Sequence, residues 1–476
     1  MRCSAAAGAD GRSRPGGAGP SGAGSGAAVP YGTGPDRRTA AAVCSAEEPA
    51  AVRSDPHPRR AFLRQWVRKE APTFPCTEGA CRVGTAGSWW TGAMHGPSDV
   101  RRPARTCGCG CSAERRDNVE RRTTERLLRA RAQAIGGGVR EKSPAAVLDR
   151  VLAVQAQDLP AAELGLRVRG RGLTAEAVRR ATDTERTAVR GWFMRGTLHL
   201  VPAADARWLL ALLGPVYLAS AARRLRELEL DDALCARSEG LIAEAIAGEG
   251  PLSRAQLTGR LTTLGVPPKG QAAFHLIRRA ALSGLICHGP QRDGEATFVL
   301  LDDWLPAAGP LPFTGEAAER ELARRYRRAH GPGDAQDFAH WSGLRTTVAK
   351  RAWAAVPDTG DAAPAATAGP DVRLLPAYDN YLVAYRDRDF SVAAEHARRV
   401  WPGGGQIRPT VLVDGLAVGT WSGGRRGTPV TVEPFPDTPP PTDAVAAGID
   451  RESADVARFF EETHGRSTNA LHSPHS

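Results

Sequence analysis

LSRAQLTGRLTTLGVPPKGQAAFHLIRRAALSGLICHGPQRDGEATFVLL, residues 252–301, decides the fold. Ser253 ahead of an apolar-periodic run is a helix start signal. Gly265 to Gly270 read as a turn. Gln271 to Gly284 read as the next helix, with Phe274, Ile277 and Leu282 inward and Arg278 and Arg279 outward. Leu285-Ile286-Cys287 and Phe298-Val299-Leu300 predict two strands around the wing GPQRDGEA. Helix, turn, helix and hairpin is the order of a winged helix, which binds DNA in many proteins and in others only packs or dimerises. Arg254, Arg278, Arg279 and Arg292 are its phosphate-contact candidates.

The flanks extend this pattern. Downstream, a helix ending RRYRRAHGP is followed by an Asp334-initiated helix and a third at Thr346 to Ala355, which predicts another winged helix. Beyond it come four strand patterns, at Val372–Leu375, Thr410–Val413, Ala417–Trp421 and Val430–Glu433. Asp414-Gly415 between two of them is a hairpin signal. Upstream, Ser143-Pro144 opens a helix over Val147, Leu148, Val151 and Leu152 that closes at VQAQD, residues 154–158. LGLRVR, residues 164–169, reads as extended. The alternating run Val189 to Val201 contains FMRGTLHLV and places Arg195 and His199 on one face of an extended segment.

Gln155 and Gln157 stand out because each primary amide offers two donors and an acceptor oxygen. In an extended segment residues two apart share a face, and Leu159-Pro160 pushes the chain away from helix here. Both amides then look into one cleft, or they simply end a helix with polar residues. Asp158 is either an auxiliary acceptor or the cap of the next segment. Arg195 either holds phosphate or pairs with an acid, and His199 either lines a pocket or is a satisfied interior group. Asp379, Tyr385, Arg386 and Arg388 in PAYDNYLVAYRDR form a polar-aromatic cluster, read as a salt-bridged brace in preference to a DNA contact.

The formal charge of +11 suggests a nucleic-acid partner. Residues 1–123, however, hold 19 Lys+Arg against 11 Asp+Glu, leaving 44 against 41 for the rest, so DNA binding must rest on local patches. Only Lys69, Lys142, Lys269 and Lys350 are lysines, none placed beside the glutamines for Schiff-base chemistry. No apolar run is long enough to cross a membrane. Cys235 and Cys287 alone fall in the globular part, which fits a reduced cytoplasm. Cys76, Cys81, Cys107, Cys109 and Cys111 have the wrong spacing for a zinc knuckle, so no metal is expected. The Gly/Ala/Ser/Pro-rich start predicts a disordered tail. It also fits a mis-called gene start, with translation beginning near Val119 or at Met94.

VQAQD, GWFMRGTLHLVP, HLIRRAALSGLICHGP, RRYRRAHGPGDAQDFAHWSGL, LLPAYDNYLVAYRDR and RPTVLVDGLAVGTW, in this order, resemble the AlkZ family. These are winged-helix DNA glycosylases that unhook interstrand crosslinks. The resemblance covers roughly residues 124–462. It implies that Gln155 and Gln157 are the catalytic pair and that the C-terminal strands form a small β-barrel; Arg195 and His199 are candidate DNA contacts on the reading of the residues given above.

The expected architecture is therefore α+β, with a disordered low-complexity tail over 1–119. Winged-helix units are expected at 120–231, 232–315 and 316–370, a β-barrel with a closing helix at 371–462, and a loose end at 463–476. The resemblance implies a monofunctional glycosylase that removes bulky or crosslinked alkylated purines from double-stranded DNA and leaves an abasic site. It would need no cofactor and act as a monomer in the cytoplasm, at the nucleoid. A winged-helix regulator without catalytic activity is the alternative, and it has no use for two amides outside its recognition helix.

Overall fold

The computed structural model describes residues 110–461 apart from 308, 358–368 and 426. The expectations for residues 1–109, their cysteine cluster included, and for 463–476 fall outside the described residues. The first helix of the described residues is α1 (Gly110–Ala132). α2 (Pro144–Val151) begins where expected: the Ser143 hydroxyl accepts from Ala146 N, and Pro144 sits in the first turn, where no N–H is needed. Val147, Leu148 and Val151 are buried on one face. After a break at Leu152, whose φ is +62°, come β1 (Val154–Gln155) and α3 (Leu159–Arg167).

α3 corrects the reading of LGLRVR as extended. The Asp158 carboxylate accepts from Ala161 N at 3.1 Å, and Pro160 is accommodated in the first turn. Pro160 therefore marks a helix start rather than a strand. α4 (Ala175–Arg179) follows, then the hairpin β2 (Ala188–Trp192) and β3 (Leu198–Pro202). The three strands make an antiparallel sheet in the order β1-β3-β2. α5 (Ala203–Glu227) leads away from it.

The decisive stretch folds as a full winged helix. α6 (Asp232–Glu249), β4 (Leu252–Ser253), α7 (Arg254–Leu261) and α8 (Ala272–Leu282) precede the wing strands β5 (Ile286–His288) and β6 (Thr297–Leu300). The sheet order is β4-β6-β5. Ser253 and Gln256 form a reciprocal capping box at the start of α7. The next three helices are α9 (Gly315–His330), α10 (Ala335–Ser342) and α11 (Thr346–Ala354). Among the described residues they bring no strands of their own, so the hairpin that a further winged helix requires is missing from this unit.

The C-terminal part comprises β7 (Val372–Leu375), α12 (Asn380–Val383), β8 (Thr410–Val413), β9 (Leu416–Ser422), β10 (Thr431–Pro434) and α13 (Asp443–Glu461). Asp414 and Gly415 make the predicted β8–β9 hairpin, with φ of +49° and +77°. The expected β-barrel does not form. The order β10-β9-β8-β7 is an open antiparallel sheet whose edge strands do not pair with each other. Four short strands are too few to close round a core. The sheet is covered instead by α13, where a Cβ on Gly448 would come within 2.5 Å of Val372 Cγ2. No helix among the described residues is long and apolar enough to cross a membrane.

Two apolar cores hold these parts. The larger gathers Met194, Trp208, Leu276, Tyr326, Phe338 and Trp341. The other joins Val147, Leu148 and Val151 of α2 to Val372, Trp421, Val456 and Phe459, so the glutamine segment and the C-terminal sheet share one interior. Each such side chain contributes about 1.5–3 kcal/mol on burial.

Candidate active site

Gln155 lies at the end of β1, directly opposite His199 of β3. β1 is only two residues long and cannot hold itself in place. Its outer edge is bonded by a side chain instead of a strand. Asn380, 2% exposed, accepts from Gln155 N at 3.3 Å and donates through Nδ2 to Ala153 O. On the inner side Ala156 N donates to Leu198 O at 2.7 Å. The carbonyl between the glutamines is gripped by Arg190, whose Nε and Nη2 donate to Ala156 O at 3.2 and 2.9 Å. The backbone around Gln155 and Ala156 is thus held from both sides.

The amide orientations follow from chemistry. Arg195 Nη2 donates to Gln155 Oε1 at 3.1 Å, and Leu198 N donates to Gln157 Oε1 at 3.3 Å. Neither partner can accept, so both glutamines must turn their oxygens to these donors. Each oxygen keeps one lone pair and each NH2 group both protons. Gln155 is half-buried and Gln157 exposed, so both can meet a ligand.

Arg195 does not share an extended face with His199, as the alternating pattern suggested. A tight turn at Met194–Gly196 interrupts the run, and Arg195 sits in the left-handed region at φ +56°. Gly196 follows at φ +63°, and a Cβ there would lie 2.4 Å from Arg278 Nη2. The turn is anchored by Tyr217, whose hydroxyl accepts from Arg195 N at 2.6 Å and donates to Ser342 O. The guanidinium then spans to Trp341 O at 2.8 Å. Among the described residues it pairs with no acid. Burial lowers the Arg195 pKa from its ordinary value, and the nearby Arg388 adds to this.

His199 is 1% exposed. Its Nδ1 is 3.0 Å from Thr197 O, while Nε2 has no partner. Burial, then the charge of Arg195, pushes its pKa down to about 3, so the ring is neutral. It packs behind Gln155 as an interior group. Asp158 is committed to the α3 cap, so no carboxylate takes its place beside the amides.

The structure brings Gln155, Gln157, Arg195 and His199 together, and Arg278 joins them by donating to Gly196 O at 3.2 Å. Arg254, Arg279 and Arg292 lie elsewhere on the winged helix. Arg254 is exposed, with its guanidinium 5.3 Å from the Phe274 ring centre. Arg292 is exposed on the wing and donates to Pro251 O at 3.3 Å. Arg279 is only half-buried and pairs with Glu239 at 3.2 Å.

In the YRDR region Asp379 and Tyr385 tie elements together, while Arg386 donates to Gln336 and Arg388 lies 5.1 Å from the Trp401 ring centre. Asp379 receives both arms of Arg169 at 2.7 and 2.8 Å in a pair with both side chains fully buried. Tyr385 accepts from Gln133 Nε2 at 3.0 Å and donates to His330 O at 3.1 Å. Asp387, between the two arginines, accepts from Asp389 N at 2.9 Å. Sequence reasoning missed Asn380, Tyr217 and Arg190. An asparagine inside YDNYLVAY was the one available signal. Among the described residues no three His, Cys, Asp or Glu side chains cluster as metal ligands would.

Known proteins resemble this chain in sequence and fold. The interstrand DNA cross-link repair glycosylase of Streptomyces sahachiroi is 29% identical over 359 residues, covering 67% of this chain and 91% of that protein. The solved structure of the Streptomyces sahachiroi DNA glycosylase AlkZ superposes with a TM-score of 0.59 at 26% identity, covering 71% of this chain and 96% of that one. A family model described as DNA glycosylase AlkZ-like matches residues 148–459, from within α2 almost to the end of α13. The chain belongs to the AlkZ-like DNA glycosylase family.

Proposed function

We propose that this glycosylase hydrolyses the N-glycosidic bond of bulky or interstrand-crosslinked alkylated purines in duplex DNA, with Gln155 and Gln157 as its catalytic residues. The observation that carries the reading is the Arg195-held amide of Gln155, fixed in orientation yet open to a ligand.

A purine alkylated at a ring nitrogen carries positive charge and leaves without a strong acid. Bond cleavage sends the electron pair of the C1′–N bond to the purine and neutralises it, while the sugar gains oxocarbenium character. Water then adds to C1′ and its proton passes to solvent. A glutamine cannot take that proton at neutral pH, so its part is to hold and aim the water by its remaining lone pair and N–H groups. Rigidity matters because an amide dipole helps only where it is preorganised. Asn380, Arg190 and Arg195 supply that rigidity. The exposed Arg254 and Arg292 would hold phosphates, which supports a DNA-facing winged helix. His199 serves from behind, as a neutral packing group.

Single-turnover excision of an N7-alkylated guanine tests this. Gln155→Ala and Gln157→Ala should each slow excision by about a hundredfold, the cost of losing one preorganised dipole. DNA affinity and melting temperature should stay near those of the unmodified protein. Variants that unfold more easily yet keep their rate per folded molecule would make the motif structural.

A further inference from the structure

A cleft of about 450 Å³ opens beside the glutamine site, between α3, α4, the wing and α13. That volume lies within the range of small-ligand clefts, about 300–1,000 Å³. Leu159, Pro160 and Phe460 give it apolar walls, and positive charge comes from Arg425 and from Arg179, which is also paired with Glu176 at 2.7 Å. The Arg425 guanidinium sits 5.5 Å from the Phe460 ring centre and is exposed at the rim. Glu163 also lines the cleft. It is 8% exposed, yet it makes no hydrogen bond or ion pair with any described residue.

With no partner among the described residues, this carboxylate is left to face the cleft. Burial pushes its pKa up to about 7, against the pull of Arg179 and Arg425. The cleft also communicates with the glutamines. Arg190, which lines it, donates to the carbonyl between Gln155 and Gln157, and Leu159 follows Gln157 by two residues.

We propose that this cleft binds an unpaired guanine nucleotide of the DNA substrate, with Glu163 reading the base edge. A carboxylate has two parallel acceptor oxygens, and among the four bases only guanine presents two adjacent donors, N1–H and the 2-amino group, on its pairing edge. The ring would lie against Leu159, Pro160 and Phe460, since unpaired bases favour apolar and aromatic faces. Arg179 and Arg425 would take the phosphate. The inference rests on the glycosylase reading only for the source of the nucleotide, a strand opened around an adduct.

The test is binding by the full chain. 2′-Deoxyguanosine 5′-monophosphate is compared with its deoxyinosine counterpart, which lacks the 2-amino group, by ligand-observed NMR titration. The guanine nucleotide should bind about tenfold more tightly, the worth of one hydrogen bond to a charged group. Glu163→Ala should abolish that preference. Arg425→Glu, at an exposed position, should weaken both nucleotides at least about fivefold.

Duplexes carrying one unpaired dG or one unpaired deoxyinosine should repeat the preference. A preference seen with mononucleotides but absent from these duplexes overturns the proposal in favour of a free nucleotide. Equal binding of the two mononucleotides, or a preference that survives Glu163→Ala, overturns it outright. Should Glu163→Ala fail to fold, the guanine-to-inosine comparison on the unmodified protein and Arg425→Glu decide. None of these readouts uses excision, so their failure and that of the glycosylase reading are separable.

Discussion

Replacing Arg195 by alanine tests whether the arginine acts through Gln155 or on DNA directly. The guanidinium makes two side-chain bonds, to Gln155 Oε1 at 3.1 Å and to Trp341 O at 2.8 Å. A hydrogen bond to a charged group is worth about 1.5–3 kcal/mol. Losing the Gln155 bond frees the amide to rotate, so excision should slow by roughly 10- to 150-fold. Losing the Trp341 bond leaves a buried carbonyl without this donor and should lower stability by about 1–3 kcal/mol. The decisive assay is a double-mutant cycle in single-turnover excision. In a Gln155→Ala background, Arg195→Ala should change the rate by less than about twofold, because the group it orients is already gone. An undiminished effect in that background, or a matching loss of DNA affinity, would refute the positioning role and make Arg195 a phosphate contact.

Three further outcomes follow from the packing and charge distribution. Asp379→Asn should cost about 3–5 kcal/mol in urea unfolding, because Arg169 would be left fully buried without its counter-charge; a change under about 1 kcal/mol would mean that the pair is dispensable. His199, His288 and His330 are buried with pKa values pushed down to about 3, so only the unfolded chain binds their protons below the ordinary 6.5. Stability should therefore fall as pH drops through that window, by about 1.4 kcal/mol per histidine per pH unit. Glu163, raised to about 7, works in the opposite sense and recovers stability on acidification. The net loss between about pH 7.5 and 5.5 should be on the order of 2 kcal/mol, and a flat profile would contradict it. For DNA affinity, Arg254→Ala with Arg292→Ala should reduce the slope of log K against log salt by about 1.8, one phosphate each. Arg278→Ala with Arg279→Ala should change it less, since those side chains already engage Gly196 O and Glu239.

Local chemistry was legible in the sequence wherever one residue type decides one conformation. Ser143 and Ser253 cap helices, Asp334 opens α10, and Asp414-Gly415 turns the hairpin, all as their side chains and backbone freedom dictate. The failures share a cause. LGLRVR looked like a strand because its two arginines break a helical apolar stripe. Yet Arg167 is buried against Glu452 and Asp455, and Arg169 against Asp379, partners more than 200 residues away. The alternating run around Arg195 hid a left-handed turn, because the tyrosine and carbonyl that hold it come from α5 and α10. Closure of a sheet depends on which strands meet, and no window of sequence contains that. The glutamine pair itself was visible, but the side chains that make it rigid were not.

The brace on β1 also sets an order of events during synthesis. Asn380 lies 225 residues beyond the strand whose edge it completes. At about 5–20 residues per second, the glutamine segment emerges from the ribosome some 10–45 seconds before that brace exists. The apolar face of Val147, Leu148 and Val151 waits longer still, for Val456 and Phe459 to cover it. During that interval the nascent chain shows a sticky helix and no competent site. Truncation anywhere in that span should therefore leave β1 without the side chain that completes its edge.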